Sequence, residues 1–302
     1  MTKHILFCSD EHVLLRRKGV PVDFEKARYS QLFDHLLALS ASDTCAAVIH
    51  GGDTFDRSPT IQEMALVVRY LNAVVKPTYI ISGNHEQVKK ETTFLSELSD
   101  MLHNPLVTII TNYATYNIAG VDIDFIPFNR LKHFEKEGNM ELNSELLVTH
   151  VRGSIPPHVK PEVDLSIFDK WKLVLAGDLH SHSNSQLNIV YPGSPLTTSF
   201  YRNKPVKGVL SVNLATKAYE FIDLKLPALL RVTTDVPGDK IVNGDFIDYE
   251  VLLPEVIVGE DIDEDSTPSF TKHLSRVEAL ALLLPDYIRE EAIDLYVKIT
   301  SR

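Results

Sequence analysis

The chain has 302 residues, 44% of them hydrophobic and 24% charged, with a formal net charge of −11. That length allows one large α/β domain with a smaller appendage, and no run approaches 18 consecutive apolar residues, so no membrane-spanning helix is expected. The acidic balance argues against a simple electrostatic nucleic-acid binder, but residues 251–302 hold 11 acidic and 5 basic side chains, so over half of the excess lies in the last sixth.

The first two-thirds alternate strand and helix patterns. HILFCSD (4–10) reads as a strand, residues 24–40 as a helix, and CAAVIHGGD (45–53) as a strand running into a glycine turn. A helix over 61–74 leads to PTYIISGNHE (77–86), and strands follow at 106–110, 121–128, 145–150 and 171–180. Segments 187–193, 208–214 and 218–224 read as antiparallel strands separated by turns. Beyond 225 the texture changes to strand-like runs, an acidic linker at 259–269 and two helices interrupted at Pro285. The expected division is 1–225 for the main domain and 226–302 for a small cap and partner-binding region. Cys8 and Cys45 each lie in a strand-like run, and the N-terminal apolar run is too short for a signal peptide. No disulfide scaffold and a cytoplasmic location are therefore expected.

Five strands deliver Asp, Asn or His at their C-terminal tips: SDEH, GGDTFD, GNHE, VTH and GDLH. In open α/β sheets that edge is where ligands bind. Single Asp or Asn endings are common for turn reasons alone, but five independent ones point to a shared site. Asp10 and His12, two apart, are expected to project in one direction. Asp53 follows two glycines that let the backbone turn tightly, Asn84 can offer an amide oxygen, and His85 beside it is free for proton chemistry. His50, His103, His133 and His158 belong to no motif and read as surface or packed imidazoles, as does His4 on a strand face.

These blocks resemble the calcineurin-like metallophosphoesterase superfamily, whose pattern is D-x-H, GD-x-x-D, GNH-[DE], a lone His and GH-x-H. Here they read Asp10-Glu11-His12, GDTFD (52–56), GNHE (83–86), His150 and GDLH (177–180). The resemblance implies a two-sheet α/β sandwich flanked by helices, with a smaller C-terminal α+β cap, and a phosphoesterase using two divalent ions. By that resemblance Asp10, His12, Asp53 and His180 hold one ion, and Asp53, Asn84, His150 and Asp178 the other. The same resemblance makes His85 the general acid or a transition-state stabiliser, positioned through a side-chain hydrogen bond to Asp56. The fifth block departs from the pattern, with Asp178 where the family has His. A carboxylate there suits Mn²⁺ or Mg²⁺. His182 is the alternative ligand.

The stretch 163–202, with Tyr191-Pro192-Gly193-Ser194-Pro195 and Ser199-Phe200, resembles the nuclease subunit of the SbcCD type. That likeness implies an Mn²⁺-dependent exo- and endonuclease on DNA ends, a homodimer, and an SbcC-like coiled-coil ATPase partner in recombination and repair. The tail after 226, shorter than in cellular relatives, suggests a compact phage-encoded enzyme in the host cytoplasm. Arg16, Arg17, Lys18, Arg57, Arg130, Arg152, Arg202 and Lys204 are candidate phosphate contacts on DNA. Two other readings are open: a phosphatase of nucleotides or phosphoproteins with the same metal core, which would cleave p-nitrophenyl phosphate efficiently, and a non-catalytic scaffold that recruits an ATPase, which would show an eroded ligand set.

Overall fold

A computed structural model describes residues 2–89, 92–137 and 142–251. The expected linker at 259–269 and the helical pair around Pro285 lie outside these residues. In chain order the elements are β1 (His4–Cys8), α1 (Val22–Ser40), β2 (Cys45–His50), α2 (Ile61–Ala73), β3 (Thr78–Ile81), β4 (Gln87–Lys89), β5 (Thr92–Thr93) and α3 (Leu95–Asp100). Then come β6 (Val107–Ile110), β7 (Ala114–Ile118), β8 (Val121–Ile126), α4 (Phe128–Glu137), β9 (Leu146–His150), β10 (Leu173–Gly177) and β11 (Ile189–Val190). The series closes with β12 (Gly208–Asn213), β13 (Tyr219–Asp223), β14 (Leu229–Thr234), β15 (Ile241–Val242) and β16 (Asp245–Val251).

Two sheets form the body, one of six strands in the order β13-β12-β1-β2-β3-β6 and one of five in the order β11-β10-β9-β8-β7. Their facing sides carry Ile5, Phe7, Ile49, Ile81, Phe125, Val148 and Leu175 in one apolar layer. The opposite face of the first sheet packs on α1 and α2 through Leu32, Leu36, Val67 and Leu71. That of the second packs on α4 through Leu131 and Phe134. Each sheet is thus covered on both faces, which accounts for the near-continuous apolar runs of β1, β2, β9 and β10. The expected sandwich flanked by helices is the fold observed.

Local chemistry fixes the connections near the site. α2 starts at a capping box in which Thr60 accepts from Glu63 N–H and Glu63 accepts from Thr60 N–H. The same Glu63 carboxylate accepts the Leu15 N–H at 2.8 Å, tying the loop after β1 to α2. Two expectations are corrected. Segment 187–193 supplies β11, which runs parallel to β10, not antiparallel, because the chain crosses the sheet edge after Gly177 and returns in the same direction. The strand expected over 121–128 ends at Ile126, and Phe128 opens α4. Residues 226–251 contribute β14, β16 and β15 to a separate three-stranded sheet.

Candidate metal centre

β1, β2 and β3 are parallel neighbours in the first sheet, and β9 and β10 are parallel neighbours in the second. The loops leaving their C-terminal ends carry all five motifs. Asp10 N–H donates to the Gly52 carbonyl at 2.9 Å, and His12 N–H donates to the Asp53 carbonyl at 2.9 Å. Across the sheets, Asp178 N–H donates to the Asp10 carboxylate at 3.0 and 3.2 Å. Close approach explains two of the glycines. A Cβ on Gly52 would lie 2.6 Å from His150 Nδ1, and one on Gly83 would lie 2.1 Å from Asp53 Oδ1. Asp10, His12, Asp53 and Asp178 all adopt positive φ, at 59°, 46°, 54° and 102°. Such backbone is costly for side-chain-bearing residues and concentrates where geometry serves function.

The side chains converge. His12 Nε2 lies 2.9 Å from His180 Nε2 and 3.8 Å from an Asp10 oxygen. His150 Nε2 lies 3.0 Å from Asn84 Oδ1. One Asp53 oxygen is 3.7 Å from His12 Nε2 and 3.5 Å from His150 Nε2, so this carboxylate lies between the two groups. His150 Nδ1 faces the Gly51 carbonyl at 2.8 Å. That oxygen only accepts, so Nδ1 carries a proton, and Nε2 must either hold a second proton or, in the neutral ring, turn a lone pair toward Asn84 Oδ1, another acceptor. His12 Nδ1 lies 3.4 Å from an Asp56 carboxylate oxygen, and its Nε2 points inward to His180. Acceptors meet acceptors in a buried centre. Divalent cations resolve that conflict, and the oxygen and imidazole donors fit them.

The electrostatics agree. Burial pushes Asp10 up to about 6, with the neighbouring Asp53 charge adding to the rise. Burial also acts on Asp53, but the His150, His12 and His85 imidazoles outweigh it and hold that carboxyl well below the usual range. Burial would depress His150, yet Asp53 and Asp10 overcome it and raise that imidazole well above its ordinary value. Without a cation, protons gather on His150 and His12, whereas burial and the neighbouring His12 charge push His180 down to about 4.

His85 is at the open side. Its backbone N–H donates to Asp53 Oδ1 at 2.9 Å, and its Nδ1 lies 2.5 Å from the Asp56 backbone carbonyl. Asp56 therefore touches His85 through its main chain, while its carboxylate faces His12. Asp178 is at the edge of the centre. Both of its oxygens contact Arg152, at 3.1 Å from Nε and 3.1 Å from Nη2. His182 turns away, with Nδ1 2.6 Å from the Tyr191 carbonyl and its ring stacked on Phe221.

Most candidate DNA contacts are engaged within the protein. Arg17 pairs with Glu25 and donates to the Thr198 carbonyl, Arg57 pairs with Glu63, Arg202 with Glu250, and Lys204 with Asp245. Arg16 and Lys18 are exposed, and Arg130 is half-buried.

Three features escaped the sequence reading. Glu86 is fully buried, and its carboxylate accepts the N–H groups of Asp53 (2.9 Å), Phe55 (2.9 Å) and Gly83 (2.8 Å), joining two of the loops. Its signal was the fourth position of GNHE. Glu11 points away from Asp10 and His12 to meet His50 Nδ1 at 2.6 Å, and His50 Nε2 meets the Tyr70 hydroxyl at 3.0 Å. Thr198 Oγ1 lies 3.3 Å from His180 Nδ1.

Comparison with known proteins follows the same lines. The family model described as calcineurin-like phosphoesterase matches residues 3–211. The chain is 34% identical over 257 residues to an Escherichia phage T5 protein named "Probable exonuclease subunit 1", covering 82% of this chain and 78% of that protein. It is 22% identical over 266 residues to a protein of Invertebrate iridescent virus 6 named as a phosphoesterase, covering 82% and 88% respectively. A solved structure from Thermus thermophilus aligns with a TM-score of 0.46 at 12% identity, covering 74% of this chain and 100% of that one.

Proposed function

The chain belongs to the calcineurin-like phosphoesterase family, and from that premise we propose that it is a metal-dependent DNA nuclease acting with a partner subunit. Asp10, His12 and His180 would hold one divalent ion, and Asn84, His150 and Asp178 a second, with Asp53 shared between them. Two such ions supply an activated water and neutralise charge on the phosphate. The absence of thiolate from this donor set favours Mn²⁺ or Mg²⁺.

The protein's own part in proton transfer falls to His85. Its Nδ1–H is held by the Asp56 carbonyl, so Nε2 is the ring atom turned to the substrate, and it is the doubly protonated ring that carries an Nε2 proton to give to the leaving oxygen, returning to the neutral Nδ1–H form. The Asp56 carboxylate, 3.4 Å from His12 Nδ1, would favour the tautomer whose Nε2 is free for a cation. Glu86 holds the loops of Asp53 and Asn84 together.

The observation that carries this reading is the Asp53 carboxylate lying between two groups of inward-facing lone pairs. The phage T5 relative is named an exonuclease subunit, which supports DNA as substrate and a second subunit. We take that partner to be an SbcC-like ATPase, and the working form to be a homodimer in the host cytoplasm. The test is an Mn²⁺-dependent assay on end-labelled duplex and single-stranded DNA, with and without the partner ATPase. Metal-dependent cleavage that stops on chelation is expected. Efficient release of p-nitrophenol from p-nitrophenyl phosphate with no DNA cleavage would instead make the enzyme a phosphatase.

A further inference from the structure

A cavity of ≈ 160 Å³ lies beside the metal centre, between the first turns of α4 and the loop after β3. Its walls are Phe128, Leu131 and His133 from α4, Gln87 and Glu162 facing them, and the exposed Lys132 at the rim. Three of these walls touch the site already described. The Phe128 ring meets the His150 ring edge to face, 5.9 Å between centroids. Gln87 N–H donates to the Asn84 carbonyl at 3.3 Å. Glu162 accepts the N–H of Arg152, the residue that grips Asp178. The cavity therefore adjoins the side of the centre formed by Asn84, His150 and Asp178.

We propose that this cavity receives the base of the nucleotide next to the scissile phosphate. The proposal rests on the nuclease reading above and deepens it. Three properties of the lining point to a nucleobase. Its volume is close to the ~150 Å³ of a cavity that accommodates one benzene ring, so it suits a single pyrimidine-sized ring and not a whole nucleotide. Half-buried Phe128 offers an aromatic surface, and base stacking on such a surface is tolerant of sequence. Gln87, whose side-chain amide makes no hydrogen bond among the described residues, and Glu162 provide acceptor and donor atoms for a base edge. Exposed Lys132 at the rim adds a positive charge that can pair with a phosphate. A phosphoserine or phosphothreonine side chain carries no planar ring of its own to fill this space, whereas every nucleotide does.

The test compares two chromogenic diesters sharing a leaving group, thymidine 5′-(p-nitrophenyl phosphate) and methyl p-nitrophenyl phosphate, in wild type, Phe128→Ala and Gln87→Ala with Mn²⁺ present. Stacking energies for one base correspond to about a tenfold change or more. Phe128→Ala should raise KM for the thymidine ester by about tenfold while kcat/KM for the methyl ester stays within about twofold. Gln87→Ala should shift the thymidine ester in the same direction by less. The unchanged methyl ester shows that the variants fold and keep their centre. Equal loss on both esters, or no change on either, overturns the proposal. Failure of wild type to cleave either ester would refute the phosphodiesterase reading instead. The pocket is then judged by calorimetric binding of thymidine 5′-monophosphate, which must weaken about tenfold in Phe128→Ala if the base enters it.

Discussion

Replacing Glu86 by alanine tests whether the centre depends on one buried carboxylate that binds none of the substrate. Glu86 accepts three backbone N–H groups, from Asp53, Phe55 and Gly83, at 2.8–2.9 Å. All three donors belong to buried residues. A buried donor left unpaired costs about 1–3 kcal/mol, so the three together cost roughly 3–9 kcal/mol before relaxation. Two effects reduce that sum. Water can enter the vacated volume, and removing Glu86 also removes a carboxyl that burial and the Asp53 charge push up to about 8. A net loss of about 3 kcal/mol is the expected outcome, a large share of the ~5–15 kcal/mol that holds a domain folded. Glu86→Gln should fall between. Its amide oxygen can replace Oε2, which serves Asp53 and Gly83, but its NH₂ then faces the Phe55 N–H, leaving one donor unpaired at about 1–3 kcal/mol. Partners behind metal ligands typically contribute 10–100-fold to metal affinity, so both variants should bind Mn²⁺ more weakly, alanine most. Urea unfolding and Mn²⁺ titration followed by electron paramagnetic resonance read the two effects separately. A Glu86→Ala protein with the wild-type urea midpoint and unchanged Mn²⁺ affinity would refute the reasoning.

Other perturbations separate the roles of individual groups. Asp53→Ala should abolish hydrolysis and lower occupancy of both ions, and elemental analysis showing two tightly bound ions in that variant would sink the shared-carboxylate assignment. His85→Ala should keep both ions and DNA affinity while kcat drops by about 100-fold or more; loss of metal would make His85 a ligand. Asp178→Ala should weaken the second ion and nearly all turnover, whereas His182→Ala, whose ring packs on Phe221, should keep close to wild-type activity. A dead His182 variant with an active Asp178 variant would reverse that assignment. Excess Mn²⁺ should raise the thermal midpoint, by about 2.7 kcal/mol of stabilisation when free ion is 100 times its Kd, and chelation should reverse it. A midpoint indifferent to Mn²⁺ would contradict a cation-binding centre.

The cluster of carboxylate and imidazole side chains at the strand tips was readable in the sequence because the chemistry leaves few choices at each position. A strand tip that must present a carboxylate or imidazole beside a tight turn is written as GD, GNH or D-x-H, and those strings stand out against apolar strands. α1 and α2 were equally legible from their apolar spacing. α4 was not: FNRLKHFEKE follows β8 at once, and its apolar start was read as strand. Glu11, His50 and Glu86 stayed hidden for a different reason. Their partners are remote in sequence or belong to the backbone, so nothing local distinguishes a buried, bonded carboxylate from a solvated one. The basic side chains show the reverse case. Arg17, Arg57 and Lys204 look like surface charge along the chain, yet each is held by an acidic partner inside the fold.

Alternation along a strand suggested that Asp10 and His12 would share a side, and Asp178 and His180 have the same spacing. The first pair does reach one place, with His12 Nε2 3.8 Å from an Asp10 oxygen, but alternation is not the cause. β1 has ended at Cys8, and both residues adopt positive φ. The bonds from Asp10 to Gly52 and from His12 to Asp53 curl the loop around β2's exit, while Glu11 between them is drawn into the core by His50. In the second pair the same departure from extended backbone separates the two. β10 ends at Gly177, and Asp178 takes a φ of 102°. Its N–H is thereby spent on Asp10, and its carboxylate swings to Arg152, while His180 continues inward to His12. Asp178 thus faces two cationic claims, the guanidinium it holds and the ion expected beside His150. Arg152 also offsets the negative charge that a carboxylate adds at this edge. Arg152→Ala should therefore free both Asp178 oxygens and tighten the second Mn²⁺ site. Weaker binding of that ion in Arg152→Ala would show instead that the guanidinium orients Asp178 toward it.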